Sequence, residues 1–267
     1  MKDEVISSKD NARLKAARQV RDGRDRTMVF VEGLRLAGEA LRSDLAIREC
    51  FITENFRESL QGREILEVVT NRNIAASVCS DAAFRSIADT TSPQGLVLIA
   101  DRPNDTAYEG LFLSATPLLL VYCHEINDPS NLGALLRTSE AAGVSGVVLS
   151  PNSTDPFAPK ALRASMGAAF RVPMATSVNF VSVEKLAKEN GILTIAAVAE
   201  TGAFYFDADL RKSVMIVLGG EANGLPDDVV EACDMRIGIP MRAQVESLNL
   251  AVSGAIILYE AVRQRMS

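Results

Sequence analysis

A single histidine, His124, stands in a chain of 267 residues. That scarcity removes most histidine-based acid–base catalysis and every multi-histidine metal site. The four cysteines (Cys50, Cys79, Cys123, Cys233) lie far apart, with neither CxxC pairing nor metal-ligand spacing. Reduced thiols in a cytoplasmic protein are therefore expected, with no metal. Cys123 and His124 are neighbours in sequence rather than a nucleophile set beside its base, and no Ser-His-Asp arrangement is visible. No apolar run approaches the roughly 18 residues needed to cross a bilayer. The opening MKDEVISSKD has no apolar core for a secretion signal. GxGxxG and GK[ST] are both missing, so an ordinary dinucleotide or P-loop site is unsupported.

What is present is ordinary for a globular protein: 48% hydrophobic and 23% charged residues, with 17 Gly and 10 Pro. This excludes disordered, collagenous and mucin-like chains, and the length suits two domains. The net charge of −6 is unevenly placed. Residues 1–100 carry 15 basic and 15 acidic side chains, whereas residues 101–267 carry 13 and 19. Within the neutral part, residues 9–26 hold seven basic residues against three acidic ones. Such a cluster is either a solvated helix face or a local patch that tracks phosphates.

The two charge regimes meet at the turn-rich Asp101-Arg-Pro-Asn-Asp-Thr106. The expected organisation is a small α/β unit over 1–100, a linker over 101–116 and a second domain over 117–267. In the first, the pattern predicts a helix near 9–20 and strands at Met28–Val31, Arg48–Ile52, Ala75–Cys79 and Leu96–Ala100. Helices are expected between them, near 34–41, 63–68 and 81–87. In the second, Leu118–Cys123, Gly146–Leu149, Leu193–Val198 and Val214–Leu218 are continuous apolar runs, as in strands covered on both faces. Alternation with helical stretches at 132–142, 183–189 and 249–263 predicts a mainly parallel sheet with helices on both sides.

Three segments place polar residues and glycines at strand ends, where α/β proteins bind ligands. The first, Asn127-Asp-Pro-Ser-Asn-Leu-Gly-Ala-Leu-Leu-Arg-Thr138, reads equally as a well-capped helix start. Arg137, set in an otherwise small and apolar helix, suits a phosphate or a developing oxyanion. The second, Leu218-Gly-Gly-Glu-Ala-Asn-Gly-Leu-Pro226, lets a ligand approach the backbone closely, or is simply a strand-to-helix turn. The third, Ile239–Ala251, leads into the last helix, which Ser247 or Asn249 can cap. Small residues on that helix permit close packing in the core or against a second copy.

Together these segments resemble the SpoU/TrmH family of RNA ribose 2′-O-methyltransferases, within the SPOUT superfamily. Asn131–Thr138, Leu218-Gly-Gly-Glu221 with Gly224, and Ser247–Val252 are similar to that family's three motifs, in order, over about 150 residues from Leu118 onward. Ser8–Arg13, Phe30-Val-Glu-Gly33 and Thr91-Ser-Pro-Gln-Gly95 resemble the substrate-binding domain attached to many of these enzymes, itself similar to small ribosomal proteins that bind folded RNA.

The resemblance implies an S-adenosylmethionine-dependent enzyme whose C-terminal domain is threaded into a deep trefoil knot. Periodicity alone does not suggest a knot, because chains are ordinarily unknotted. It further implies a homodimer using the last helix. Gly219, Gly220, Ile239, Met241 and Leu248 match cofactor positions, largely through backbone groups. Arg137, Asn131, Glu221, Ser247 and Asn249 match catalytic ones, and Lys9, Arg13, Arg18 and Arg21 are candidates for RNA contact. A guanidinium stays protonated, so Arg137 is expected to stabilise the forming alkoxide or clamp the adjacent phosphate rather than act as a base. Ribosomal RNA is favoured over transfer RNA on the strength of the N-terminal domain. Two alternatives remain: a catalytically silent RNA-binding protein on the same scaffold, and a nucleotide-dependent enzyme of ordinary doubly wound type.

Overall fold

The structure is a computed structural model that describes residues 5–113, 117–199, 203–242 and 247–266. The chain divides into two compact units, Met1–Pro103 with Phe157–Phe170, and Asn104–Pro156 with Arg171–Ser267. The stretch 101–116 is thus shared between the two.

In the first unit, α1 (Ala12–Arg21) starts where the Asn11 side chain accepts from the Arg13 N–H, and it buries Leu14, Ala17 and Val20 at three-residue spacing. Then follow β1 (Met28–Glu32), α2 (Leu34–Arg42), β2 (Ile47–Thr53), α3 (Glu54–Glu58), α4 (Leu60–Asn71), β3 (Ala75–Cys79), α5 (Asp81–Arg85) and β4 (Leu96–Asp101). The sheet order is β1-β4-β2-β3, with β4 antiparallel to both neighbours and β2 parallel to β3. Hence β1, β2 and β3 all end at the edge where β4 begins. Phe30, Phe51, Val97 and Ile99 cover one face against Leu14, Phe84 and Ile87.

The second unit carries β5 (Leu119–His124), α6 (Pro129–Ala141) and β6 (Gly146–Leu149). The chain then contributes α7 (Pro159–Ser165) to the first unit before returning through β7 (Met174–Ala175), α8 (Phe180–Glu189), β8 (Leu193–Ala197), β9 (Val214–Gly219), α9 (Asp227–Ala232), β10 (Met235–Ile237) and α10 (Leu250–Arg265). Six strands in the order β10-β8-β9-β5-β6-β7 pair in parallel throughout. The α/β class with a parallel sheet and covering helices is the one expected. The implied knot goes beyond strand order and pairing, and residues 243–246, ahead of α10, lie outside the described residues. No helix among the described residues is long and apolar enough to cross a membrane.

Helix α10 packs on α6 through a glycine: a Cβ on Gly254 would lie 2.6 Å from Leu135 Cδ1 and 3.3 Å from Leu218 Cδ1. At that position the small residue serves the interior of this chain, not a second copy. The far end of α10 is pinned by Arg265, whose guanidinium donates to the carbonyls of Leu210, Pro117, Leu118 and Lys212.

Candidate active site

In a parallel sheet the ligand crevice lies beyond the carboxyl ends of the strands. Here the ends of β8, β9 and β5 are adjacent, and β9 terminates at Gly219 opposite His124 of β5. Both following glycines are sterically required. A Cβ on Gly219 would be 2.2 Å from the Gly224 carbonyl carbon, and one on Gly220 would be 2.4 Å from the Glu125 carbonyl oxygen. Gly224 turns the chain at φ +65° and donates its N–H to Gly220 O at 2.9 Å, closing the loop on itself.

Against this loop lies a cleft of about 670 Å³, within the size range of small-molecule sites. Every position matched to the cofactor lines it: Gly219, Gly220, Ile239, Met241 and Leu248. Ala197, Val198 and Ala199 at the end of β8, and Ser253 and Ile257 of α10, complete the wall without having been singled out in sequence. For Ala197, Val198 and Ala199 the signal was an apolar strand end; Ser253 and Ile257, within α10, carried none. Among the described residues that line it Glu221 alone is charged, and none is a lysine or arginine. Such a cleft offers no counter-charge to a polyphosphate cofactor. It fits an adenosyl group held by apolar walls and backbone bends, with a sulfonium tolerated beside a carboxylate.

Of the expected catalytic residues, Glu221, Ser247 and Asn249 also line the cleft. Asn131, at the start of α6, does not, yet it is tied to two of them. Its Nδ2 donates to Glu221 Oε1 at 2.7 Å, and its Oδ1 accepts from Asn249 Nδ2 at 2.9 Å. Glu221 Oε2 accepts in addition from the Asn127 N–H at 3.2 Å. The carboxylate therefore clips the start of α6 to the glycine loop, and the two amides clip α6 to α10. Asn249 is the cap of α10 as well, its Oδ1 accepting from the N–H groups of Ala251 and Val252. The cap of α6 is Asp128, accepting from the Ser130 N–H, which leaves Asn131 free for this bridge.

Arg137 stands apart. It is exposed on α6, about 9 Å further along the axis from Asn131, and makes no hydrogen bond or ion pair among the described residues. Its guanidinium is available for a substrate group rather than locked to the other four. His124 does not line the cleft, and its buried Nδ1 lacks a partner among the described residues. Cys123 is inert as a nucleophile, since burial pushes its thiol up to about 12. Burial likewise raises Cys50 to about 12, and Cys79 and Cys233 to about 11.

The basic residues singled out in the first unit are largely bonded inside it. Arg13 donates to Glu49 and Ser77 and lies over the Phe51 ring. Arg18 donates to Ser86 and the Lys9 carbonyl. Arg21 donates to Asp22 and to the carbonyls of Ser86 and Ala88. The Lys9 ammonium makes no hydrogen bond or ion pair among the described residues.

A glycine-bent cleft at the end of a parallel sheet, closed by a carboxylate–amide clip, is the candidate site of an α/β protein, and the known proteins it resembles give its class, S-adenosylmethionine-dependent RNA 2′-O-methyltransferase. Residues 118–259 match the SpoU rRNA methylase family, to which the chain belongs, and residues 11–98 match the MRM3-like substrate-binding domain. The chain is 28% identical to the 23S rRNA (guanosine(2553)-2′-O)-methyltransferase RlmP of Bacillus subtilis, covering 95% of this chain and 97% of that one. It is 31% identical to the 23S rRNA (guanosine-2′-O-)-methyltransferase RlmB of Shewanella oneidensis over 78% of this chain and 88% of the relative. Among solved structures, the S-adenosylmethionine-bound rRNA methyltransferase of Sinorhizobium meliloti superposes with a TM-score of 0.85 at 26% identity, covering 99% of each chain.

Proposed function

We propose that the protein methylates a ribose 2′-hydroxyl of ribosomal RNA, as a cytoplasmic homodimer, with the residues of the clip and Arg137 serving the reaction. One observation carries the site assignment: all the positions matched to the cofactor, and three of the five matched to catalysis, fall on one cleft that holds no basic side chain among the described residues.

S-adenosylmethionine, when bound, supplies an activated methyl group that moves to the ribose oxygen as the carbon–sulfur bond breaks. The chain's part is alignment and charge control. Backbone groups of Gly219, Ile239 and Leu248, with Gly220 and Met241 beside them, hold the donor, and the apolar wall keeps water out. In-line geometry alone accounts for a large share of such a rate. Asn131, Ser247 and Asn249 are assigned hydrogen bonds around the ribose, and Glu221 fixes the loop and the start of α6. Arg137 stabilises the oxygen as it loses its proton, or clamps the neighbouring phosphate, with the proton passing to phosphate or water.

The first unit is assigned to RNA engagement, with Lys9 the most available of Lys9, Arg13, Arg18 and Arg21. For the dimer, α10 presents an exposed apolar stripe at seven-residue spacing, Val252 (48% exposed), Tyr259 (51%) and Met266 (84%), with Leu248 (37%) ahead of it. A second copy of the same helix covers such a stripe in a two-fold arrangement. Tyr259→Glu is expected to shift the protein to half its mass in light scattering; an unchanged mass removes α10 from the interface.

The activity is tested by mapping 2′-O-methyl positions across ribosomal and transfer RNA from cells with and without the gene. One position in ribosomal RNA is expected to lose its methyl group. Loss confined to transfer RNA overturns the choice of substrate, and no loss at all overturns the activity.

A further inference from the structure

A second cavity, about 570 Å³, opens wholly within the first unit, at the edge where β1, β2 and β3 end and β4 begins. Its walls come from the start of α3, from α5, and from residues 91–95. The 91–95 loop is held at both ends. Glu32, only 5% exposed, accepts from the Asp89 N–H at 2.8 Å, the Thr90 N–H at 3.2 Å and the Thr90 hydroxyl at 2.6 Å. At the other end Gln94 Oε1 accepts from the Leu34 N–H at 2.8 Å, and the Gly95 carbonyl accepts from the Thr53 N–H at 3.0 Å. Gly95 sits at φ +83°, where a Cβ would strike Thr53 Oγ1 at 2.4 Å, so the loop is pressed against β2 by design of its backbone. A buried carboxylate with three donors is a costly way to fix a loop that does nothing.

Apart from Thr53 and Gln94, which accept from the Phe56 and Leu34 N–H groups, the polar side chains lining this cavity are not consumed by the fold. Asn55, Asp81, Arg85, Thr91 and Ser92 all line it and make no hydrogen bond or ion pair among the described residues. Phe84 is fully buried, whereas the Phe56 ring is half-buried and so offers an accessible aromatic wall. An amide, a carboxylate and a guanidinium around an aromatic wall form the donor and acceptor set that reads the edge of a nucleobase. Asn55, Asp81 and Arg85 are exposed where they line the cavity, and a carboxylate among them disfavours a site for phosphate alone.

We infer that this cavity receives one unstacked nucleotide of the RNA substrate, its base against Phe56 and its edge read by Asn55, Asp81 and Arg85. The inference rests on the RNA methyltransferase reading and extends it: the first unit selects the substrate by a base, not only by charge. Docking a splayed-out base acts on recognition without touching the chemistry.

The test uses the full chain, protein-free 23S ribosomal RNA from cells lacking the gene, and steady-state methylation. Asn55→Ala combined with Arg85→Ala is expected to raise KM for RNA about tenfold or more. The rate at saturating RNA and the affinity for S-adenosylhomocysteine should stay as in the wild type. Arg72→Ala removes an exposed charge at the opposite edge of the sheet and should leave KM within twofold. Asp81→Asn separates base reading from charge by sign: a base-reading carboxylate predicts a higher KM, whereas a phosphate-tracking surface predicts a lower one. A KM within twofold of wild type for the double variant, or a lower KM for Asp81→Asn, overturns the inference. A wild-type chain that methylates no ribosomal RNA overturns the reading beneath it, and the two failures are distinct.

Discussion

Replacing Gly220 by alanine tests whether the glycine loop is shaped for a ligand. The added Cβ would lie 2.4 Å from the Glu125 carbonyl oxygen and 3.3 Å from that of His124. Ordinary contact needs roughly 3.5 Å, so one side has to retreat by about 1 Å. The β5 side is held: the Glu125 N–H donates to Ser150 Oγ at 2.7 Å, and the Asn127 N–H donates to Glu221. The loop moves instead, carrying Gly219 and Glu221 with it. Overpacking of this kind costs about 1–3 kcal/mol of stability. A misplacement of about 1 Å in a binding group is worth on the order of 100-fold. Calorimetric titration with S-adenosylhomocysteine should therefore show binding weakened at least about tenfold. Gly143→Ala is the control, with φ +70° and nothing within 4 Å of its added Cβ. It suffers about 1–2 kcal/mol of backbone strain and keeps full affinity, since Gly143 is not part of the cleft. If Gly220→Ala binds as tightly as the wild type, the loop is not the ligand's cradle.

Arg137→Lys keeps the charge but loses the planar fork, and turnover at saturating RNA should fall at least about tenfold with S-adenosylhomocysteine affinity unchanged; near-full activity removes two-point recognition from its role. Ser139 is fully buried in α6 with its hydroxyl lacking a partner among the described residues, so Ser139→Ala should raise stability by about 1 kcal/mol in denaturant titration; a loss of stability contradicts the packing described. Burial lifts Cys50 and Cys123 to about 12, above the value of about 8.5 for a free thiol. These neutral thiols leave stability intact below about pH 8.5, and it is lost as pH rises from there toward about 12, because the unfolded chain ionises first. Alkylation with iodoacetamide at pH 8 should accordingly spare both until denaturant is added, and rapid native labelling would refute their burial.

Much of the sheet was legible because its strands are continuous apolar runs: Ala75–Cys79 and Gly146–Leu149 coincide with β3 and β6, and the helices that were given bounds fall within a turn of them, whereas the short α3, α7 and α9 were given none. The omissions have physical causes. Strand β7 has two residues and β10 three, too short for any period to register. The return of Phe157–Phe170 to the first unit is a long-range packing event that no local pattern announces. Within the site, the glycine loop and the stretch before α10 were legible through their unusual composition. The bridge from Asn131 to Glu221 and Asn249 was not, because capping residues and clipping residues are drawn from the same polar types. Only the structure assigns capping to Asp128 and the clip to Asn131. The basic run 9–26 read as either a solvated helix face or a phosphate-tracking patch, while three of its arginines close hydrogen bonds inside the unit.

The most direct measurement incubates the purified protein with S-adenosylmethionine labelled on its methyl group and with ribosomal RNA from cells lacking the gene, then digests the RNA to nucleosides. Label in a single 2′-O-methylnucleoside, with the Gly220→Ala protein needing at least about tenfold more S-adenosylmethionine to reach the same extent, is the predicted result. Label on a base, or none above background, would contradict the account.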